Sequence, residues 1–376
     1  MVFSFTGIAQ DKPNALRISL ITCTPGSELY TVFGHNALRI VDSAAGTDIA
    51  YNFGTFNFDD PDFYTKFIRG KLQYFLSQEN FSDFLFAYQY FKRGVSEQVL
   101  NLTDAEKKAI QNALFENLTE ENRYYKYDFF YDNCSTRLRD IIFKPKTSTA
   151  IMPLPFVPEG LTFRDHLHTY LDKAEMKWTR LGIDIILGLE ADRKMGSSDA
   201  MFLPEYLAKG VSATEINRQD LVSEETILIP DAQPAPIKSQ FWRTPFFIFF
   251  ILSLFMVSPL GKERKQLNQI QVVLTKVVYM CAGLVGLLLV FMWVGTDHQS
   301  TARNLNLIWA FPIQLLFVFR LNNLPSWLKI YAKIYSFFVL LLLLLSIAVP
   351  GIIAYALYPL MLAMAYTTWN FSKQTN

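Results

Sequence analysis

The segment Thr244–Leu260 reads TPFFIFFILSLFMVSPL, an apolar run without a charged side chain. Its length is close to the roughly 20 residues that cross the hydrocarbon core of a bilayer. The preceding 240 or so residues contain no comparable run, whereas the residues after it contain several. The run therefore divides the chain into a soluble N-terminal part and a membrane part.

The membrane part continues as a series of apolar runs. Four follow the first one: Val272–Val294, Leu305–Phe319, Tyr331–Val349 and Ile352–Trp369. Residues 244–369 are thus predicted to form an all-α bundle of about five spanning helices. The third run contains Pro312, which a bundle tolerates when neighbours bind the freed carbonyl. Ionisable residues occur only near run ends, so the pattern indicates lipid handling or partner binding rather than an ion relay.

The charges that flank these runs predict the orientation of the chain. With the soluble part outside the cytoplasm, the basic residues on the cytoplasmic side are Lys262, Arg264, Lys265, Lys276, Arg320, Lys329, Lys333 and Lys373. The opposite side keeps only Arg243 and Arg303, which is the positive-inside bias. We therefore expect a multi-pass inner-membrane protein with a periplasmic N-terminal domain and a cytoplasmic tail, residues 370–376.

The charge and cysteine content limit which class of domain the soluble part can be. From Phe241 onward the chain has ten basic and two acidic residues, which leaves 25 basic and 32 acidic residues for positions 1–240. A domain of that length needs no disulfide or structural metal to fold. Cys23, Cys134 and Cys281 are too few and too scattered for a disulfide framework or a zinc site. At most, Cys23 and Cys134 form one bridge.

The soluble part shows mixed strand and helix patterns. Residues 1–10 resemble the end of a signal peptide, because small residues precede Gln10. Alternating segments predict strands, and they are Ala15–Cys23, Ala37–Val41, Ile49–Phe53 and Val95–Leu102. Thr103 and Glu106 form a capping box that predicts a helix to about Leu118. The fold class is therefore α+β.

Two regions connect this domain to the first span. Residues 146–229 are predicted as a helical extension, because Leu161–Gly188 has an amphipathic pattern. Residues 230–243 are predicted as a linker, and their stretch PDAQPAP is stiffened by proline. The catalytic domain proper is then residues 11–145.

Cys134 is the best candidate nucleophile by context. It follows Asp132 and Asn133, either of which would cap a helix continuing through Arg137–Phe143. The positive end of a helix dipole lowers the pKa of a thiol and favours the thiolate. The alternative is that Cys134 is a buried small hydrophobe, as most lone cysteines are.

His35 is the natural base for this thiol. It lies in the sequence Phe33-Gly34-His35-Asn36, where the glycine permits a close approach of substrate or backbone. A lone histidine is more often a surface or core residue than a base. His166 and His168, spaced i and i+2, face different sides of a helix and are predicted to have a solvated or packing role.

Several segments together resemble a known family. They are Thr22–Ile40 (TCTPGSELYTVFGHNALRI), Tyr51–Gly54 (YNFG), Phe67–Gly70 (FIRG), Tyr90–Arg93 (YFKR) and Tyr127–Thr136 (YDFFYDNCST). This pattern is similar to the Lnb-type N-terminal domain of Bacteroidota inner-membrane proteins and covers residues 15–145. The GHNALRI and DNCST blocks are its most specific parts.

The resemblance implies a circularly permuted papain-like fold related to NlpC-type peptidases and lecithin:retinol acyltransferase. In such folds the histidine strand precedes the cysteine helix, as His35 precedes Cys134 here. The third polar group, which orients the imidazole, is implied to be Asn52, with Asp48 as a weaker choice. The residues expected to line the site are Tyr131, Asp132, Asn133, Gly34 and Asn36.

The resemblance also implies lipoprotein N-acylation through a cysteine thioester. The partners would be a phospholipid acyl donor, a diacylated lipoprotein acceptor and the membrane, with no cofactor, metal or nucleic acid. One alternative is a membrane-tethered cysteine peptidase or amidase acting on peptidoglycan or peptides. Another is a non-catalytic docking module. The aromatic stretch Phe75–Phe91 is predicted to form either a lipid-facing cleft wall or simply core.

Overall fold

The computed structural model describes residues 16–144, 150–151, 157–158, 160–216, 218–258, 265–321, 324–349 and 351–373. The predicted signal-peptide remnant, residues 1–10, lies outside this part. The chain divides into two compact units. The first comprises Met1–Asp60, Gln73–Pro158 and Gly196–Pro234, and the second comprises Pro61–Leu72, Glu159–Met195 and Ala235–Asn376.

The first unit contains all the described strands. They are β1 (Leu16–Cys23), β2 (His35–Asp42), β3 (Thr47–Thr55), β4 (Gln73–Asn80), β5 (Val95–Leu100), β6 (Tyr124–Lys126), β7 (Ala150–Ile151), β8 (Glu215–Ile216), β9 (Gln219–Asp220) and β10 (Val222–Ile229). Seven of them form one antiparallel sheet in the order β10-β5-β1-β2-β3-β4-β6. The short strands β7, β8 and β9 form a separate sheet.

The described helices fall into both units. Those of the first unit are α2 (Phe81–Tyr90), α3 (Asp104–Leu118), α4 (Cys134–Phe143), α7 (Ser197–Ala200) and α8 (Pro204–Ser212). Those of the second unit are α1 (Phe63–Ile68), α5 (Phe163–Lys173), α6 (Lys177–Ile186), α9 (Pro245–Val257), α10 (Lys265–Val294), α11 (Gln314–Arg320), α12 (Ser326–Ala348) and α13 (Tyr358–Ser372).

The large sheet is covered on both faces, as the alternation of its strands requires. Ile18 and Leu20 of β1 and Leu38 of β2 belong to the core formed with α3, α4 and α8. Their direct neighbours in sequence, Ile21 after Leu20 and Ala37 before Leu38, face the opposite way, into a smaller core under α2. His35 pairs with Cys23 across β1 and β2. The register therefore fixes which end of the sheet carries the histidine.

The predicted capping box of α3 and the predicted cap of α4 are both present. Thr103 caps α3 and accepts a hydrogen bond from the backbone of Glu106, whose carboxylate bonds back to Thr103. Asn133, one of the two predicted caps, begins α4 by accepting from the backbone of Thr136 at 2.9 Å. Cys134 is consequently the first helical residue of α4.

The predicted helical extension, residues 146–229, is only partly helical. Its last eight residues form β10, which pairs with β5 and completes the large sheet. Periodicity alone missed this strand, because most of its side chains are exposed on both faces. The helices α5 and α6 belong instead to the second unit, with the membrane part.

Among its described residues, the second unit has two helices long and apolar enough to cross a bilayer, within Gln269–Val294 and Ser326–Ala348. A shorter apolar helix covers Pro245–Val257. The third predicted run is broken: a 3-10 turn spans Leu305–Ile308, and the helix begins only at Gln314. Pro312 lacks the backbone N–H that a continuous helix would need there.

The broken run packs closely on α10 because α10 has glycines at the contact. A Cβ on Gly286 would lie 1.7 Å from the carbonyl oxygen of Ala310, and one on Gly283 would lie 2.5 Å from Leu315. Small residues allow such backbone approach between membrane helices. These glycines therefore permit the third run to sit against α10.

A groove of about 1080 Å³ opens on the membrane helices. Its walls include Phe250, Leu254, Phe337, Leu340, Leu362 and Tyr366, from α9, α12 and α13. The hydroxyls of Ser253 and Ser336 in its wall bond to backbone carbonyls of the helices. The groove therefore presents an apolar surface.

Candidate active site

Three predicted site residues meet at one end of the large sheet. His35 is the first residue of β2, Asn52 lies near the end of the antiparallel neighbour β3, and Cys134 begins α4. A bulge in β3 between Asn52 and Thr55 contains Gly54, whose φ is +91°. A Cβ at Gly54 would lie 3.8 Å from the Cβ of Cys134, an ordinary contact, so the positive φ and not a lack of space favours glycine here.

The imidazole of His35 is held from two sides. Its Nε2 lies 3.2 Å from Oδ1 of Asn52, and its side chain hydrogen-bonds the Cys134 thiol. Because Nε2 is used by Asn52, the ring nitrogen left for the thiol is Nδ1. The amide of Asn52 is itself fixed, since its Nδ2 donates to Oε1 of Glu79 at 2.9 Å.

The environment of Cys134 and His35 favours a negative charge on the thiol and a positive charge on the imidazole. Burial would raise the pKa of the Cys134 thiol, but the charge and hydrogen bond of His35, with bonds from the Asn36 backbone and Ser135, lower that pKa below its ordinary value. Burial would lower the pKa of His35, but the Cys134 thiolate and the Asn52 bond raise it. The geometry therefore favours a thiolate–imidazolium pair.

Cys23 lies opposite the same histidine on the neighbouring strand, but its environment favours the neutral thiol. It is 1% exposed, and burial raises the pKa of its thiol to about 12. Neither Cys23 nor Cys134 is in a disulfide, so the bridge considered from the sequence is absent between these two described residues. Of the two, only Cys134 has the electrostatics of a nucleophile.

A cleft of about 440 Å³ opens beside the pair. Its polar side includes His35, Asn52 and Glu79, and its aromatic side includes Tyr30, Phe84 and Phe91. Cys134 is not itself a lining residue, but it contacts His35 and approaches Gly54, which both line the cleft. The cleft thus has the Cys134–His35 pair on one side and an aromatic wall on the other.

Two of the predicted lining residues, Asn36 and Gly34, hold the backbone around Cys134 and His35 and do not line the cleft. Asn36 is fully buried, donates to Thr22 Oγ1 at 2.9 Å and accepts from Ser135 Oγ at 2.8 Å. Gly34 has φ +84°, and a Cβ there would lie 2.8 Å from the carbonyl oxygen of Cys23. Any larger residue at position 34 would therefore displace the start of β2.

None of the three residues before Cys134 lines the cleft, and two of them, Asp132 and Asn133, hold the helix start. Asn133, 2% exposed, donates to the carbonyls of Phe129 and Phe202 at 2.7 and 2.8 Å. Asp132 forms a two-pronged ion pair with Arg137, at 2.5 and 2.9 Å. Tyr131 is 38% exposed and is not among the cleft residues.

Asp48, the weaker candidate for the group that orients the imidazole, is bound to Arg39 instead. Asp48 forms a two-pronged ion pair with Arg39, at 2.8 and 2.6 Å. Arg39 also reaches Glu97 at 2.9 Å. The imidazole of His35 therefore meets Asn52 and not Asp48.

The aromatic stretch Phe75–Phe91 is divided between the two predicted roles. Phe81 and Phe84 are 3% exposed and belong to the core under α2. Phe84 also lines the cleft together with Tyr88 and Phe91. Helical periodicity explains the division, because residues 84, 87, 88 and 91 lie on one side of α2 and its continuation.

The other two histidines of the N-terminal half have structural partners in the second unit. His168 contacts Asp184 at 2.7 Å through Nε2 and Arg180 at 3.1 Å through Nδ1. Asp184 also pairs with Arg164, whose side chain is 2% exposed. His166 is 1% exposed, so its predicted role is the packing one and not the solvated one.

Glu79 is a polar site residue that the sequence did not predict. It is an exposed glutamate on β4, and a glutamate at such a position carries no sequence signal. The cross-strand register supplies the missing information, because Asn52 pairs with Ser77 and Ala50 pairs with Glu79. Glu79 is thus a diagonal neighbour of Asn52 on the same sheet face.

Fold and site together define a membrane protein with an N-terminal α+β domain that carries a cysteine–histidine pair. Residues 6–157 match the family described as the Lnb N-terminal periplasmic domain. Residues 237–374 match the family described as the Lnb transmembrane domain. The chain therefore belongs to the Lnb family, as its motifs predicted. Membership indicates a lipoprotein-processing membrane protein whose N-terminal domain is periplasmic. No curated protein and no solved structure matches the chain.

Proposed function

We propose that this protein is a lipoprotein N-acyltransferase that works through a thioester on Cys134. The observation that carries the proposal is the hydrogen-bonded series Cys134, His35 and Asn52 beside a cleft with an aromatic wall. A thiol whose pKa is lowered by an adjacent imidazolium is the usual activated nucleophile of acyl transfer. Family membership supplies the lipoprotein.

In the first half-reaction, Sγ of Cys134 attacks the carbonyl carbon of a phospholipid ester. The ester C–O bond breaks, and the imidazolium of His35 gives its proton to the departing alkoxide, so that a lysophospholipid leaves. Amides near the start of α4 are suited to bind the oxyanion, because the Asn133–Thr136 cap leaves the amides of Cys134 and Ser135 at the helix N-terminus.

In the second half-reaction, the α-amine of a diacylated lipoprotein attacks the thioester carbonyl. The C–S bond breaks, an amide forms, and the proton lost by the amine passes to His35, which restores the ion pair. The two substrates use one site in turn. The phospholipid, the lipoprotein and the membrane are therefore the proposed partners.

The membrane unit favours lipid over a soluble substrate. A peptidase needs only a tether, whereas the described membrane helices form an apolar groove of about 1080 Å³. That volume is at the upper end of small-molecule sites, which are about 300 to 1,000 Å³. Such a groove is suited to acyl chains.

A papain-like relationship is part of the proposal. The cysteine at a helix start, the histidine on a neighbouring strand and an asparagine bonded to its distal nitrogen form the arrangement of cysteine–histidine–asparagine enzymes. The histidine strand precedes the cysteine helix, as the permuted form requires.

The test is N-acylation in a strain that depends on this gene. We expect Cys134→Ala and His35→Ala to abolish conversion of diacyl to triacyl lipoprotein while the protein still accumulates. Cys281→Ala, which removes an exposed thiol of α10, is the matched control and should retain conversion. Normal triacylated lipoprotein in the Cys134→Ala strain would refute the proposal, and cysteine-dependent release of peptides from purified cell wall would favour the amidase alternative.

A further inference from the structure

We propose that Glu79 is a positioning residue that acts on the Cys134–His35 pair through Asn52. This rests on the proposed role of the pair as the reactive centre, but not on the identity of the acyl donor or acceptor. The three contacts involved are the Cys134–His35 hydrogen bond, His35 Nε2 to Asn52 Oδ1 at 3.2 Å, and Asn52 Nδ2 to Glu79 Oε1 at 2.9 Å.

The chemistry of these groups makes the order of the bonds unambiguous. A side-chain amide has a donating end and an accepting end, whereas an ionised carboxylate only accepts. Glu79 therefore fixes Nδ2 of Asn52 toward itself and Oδ1 toward His35. The ring nitrogen that meets Oδ1 must then carry a proton, and Nδ1 is left for the thiol. Without Glu79, the amide of Asn52 is free to rotate and present Nδ2 to the imidazole.

The sheet holds Glu79 in this place. It lies on β4 opposite Ala50 of β3, two residue pairs away from Asn52 and Ser77 and therefore on the same face of the sheet. Asn52 is 7% exposed, so it has little water to replace a lost partner. The carboxylate of Glu79 also adds a negative charge one amide away from the imidazolium; because Glu79 is exposed, solvent screens this charge, and the hydrogen bond to Asn52 is its main route of action.

The other charges around the pair do not substitute for Glu79. Arg93 is cationic, acts against protonation of His35, and donates to the carbonyl of Thr24 at 2.9 and 2.7 Å. Asp83 is close enough to Glu79 to act on it electrostatically. Tyr88 faces Cys23. Among these groups, Glu79 is the anion bonded to the orienting amide.

Two variants separate the hydrogen bond from the charge. Glu79→Gln keeps an accepting oxygen in nearly the same shape and removes the charge, whereas Glu79→Leu removes both. Glu116→Gln, an exposed glutamate on α3, is the matched control for loss of one negative charge from the same unit. All are made in the full-length protein and examined in detergent micelles.

The readout is the rate of alkylation of Cys134 by iodoacetamide as a function of pH, measured on the Cys134 peptide by mass spectrometry. We expect the midpoint of the profile to move to higher pH in Glu79→Gln and further in Glu79→Leu. Transfer activity in Glu79→Leu should fall by up to roughly 100-fold, the scale of a small misplacement of reacting groups, and be partly rescued in Glu79→Gln. Glu116→Gln should match the unaltered protein.

A Glu79→Leu protein with an unaltered alkylation profile and unaltered transfer would overturn the proposal. Unfolded protein would expose Cys134 as an ordinary thiol and would also move the midpoint to higher pH. Thermal unfolding of each variant therefore accompanies the labelling, and a shifted midpoint in a variant that unfolds at the unaltered temperature excludes a merely structural role. Alkylation needs no lipid. A shifted midpoint in a protein that forms no acyl-enzyme would therefore sustain the role of Glu79 while refuting the acyl-transfer proposal.

Discussion

At the scale of single residues, the two thiols near His35 show how environment decides reactivity. Cys23 is buried in the sheet, and its raised pKa keeps it protonated. Cys134 stands at a helix start with a cationic partner, and its pKa is lowered. The fold thus places one thiol with a raised pKa and one with a lowered pKa near the same imidazole, and we expect a label that requires a thiolate to distinguish them.

Removal of the imidazole should reverse the state of Cys134. In His35→Ala the favourable charge and hydrogen bond disappear while burial remains, so the pKa of the thiol should rise above the ordinary value of cysteine. Each unit of that rise lowers the thiolate fraction about tenfold at neutral pH. Iodoacetamide labelling of Cys134 at pH 7 should therefore fall at least roughly tenfold.

The control for this prediction is His298→Ala, which removes a histidine bonded to a backbone carbonyl of the second unit. Its labelling profile should match the unaltered protein. Equal labelling of Cys134 in His35→Ala and the unaltered protein across pH 5 to 9 would show that the imidazole does not activate the thiol.

The sequence could predict Cys134 and His35 but not every residue that orients them. Cys134 and His35 stand in short motifs whose neighbours, a capping asparagine and a glycine, have recognisable physical roles. Asn52 was implied by the resemblance. Glu79 could not be foreseen, because its contact depends on the register between β3 and β4, which hydrophobic alternation does not determine within one residue.

At the scale of elements, the start of α4 is the structure that positions Cys134, the proposed nucleophile. Asn133 accepts from the Thr136 amide and donates to two carbonyls, that of Phe129 in the preceding loop and the buried one of Phe202 before α8. A cap with three bonds fixes the helix start far better than a typical surface cap. The orientation of Cys134 therefore depends on a residue that does not line the cleft.

Asn133→Ala should destabilise the domain and raise the pKa of Cys134. Losing the cap and leaving buried carbonyls without a donor should cost about 2 kcal/mol or more. The matched control is Thr103→Ala at the exposed cap of α3, which should cost about 1 kcal/mol and leave the alkylation profile unchanged. Thermal unfolding and the pH profile of alkylation measure both effects, and equal losses in the two variants would contradict the special role of Asn133.

Elements with strong local signals could be predicted, and elements defined by distant partners could not. The capped helix α3 and the alternating strand β1 follow from their own residues. The strand β10 is exposed along most of its length and exists because β5 offers an unpaired edge. The break in the third apolar run was signalled by Pro312, but its close packing on Gly286 was not.

At the scale of the molecule, the chain joins a periplasmic domain to a transmembrane domain. The second unit contains more than the apolar helices, because Pro61–Leu72 and Glu159–Met195 belong to it. Within it, the backbone of Asp297 donates to the carbonyl of Arg69 at 2.9 Å. Inserted segments of the N-terminal half are therefore built into the membrane unit, which a linear division into domains could not predict.

We predict that the C-terminus is cytoplasmic and that the membrane is the inner one, since the basic residues cluster on one side of the spans. A phosphatase fused after Asn376 should be inactive, and a fluorescent protein fused there should fluoresce. The matched fusion after Pro236 should show active phosphatase. Active phosphatase at the C-terminal fusion would contradict the orientation.

The central claim is that Cys134 carries the acyl group, and intact-mass spectrometry tests it most directly. After incubation of the purified protein with a phospholipid of defined acyl chains, the account predicts a mass increase of one acyl group minus one hydrogen. Hydroxylamine should remove it, the Cys134→Ala protein should lack it, and added diacyl lipopeptide should discharge it. An unaltered mass with active protein, or an adduct that persists in Cys134→Ala, would contradict the account.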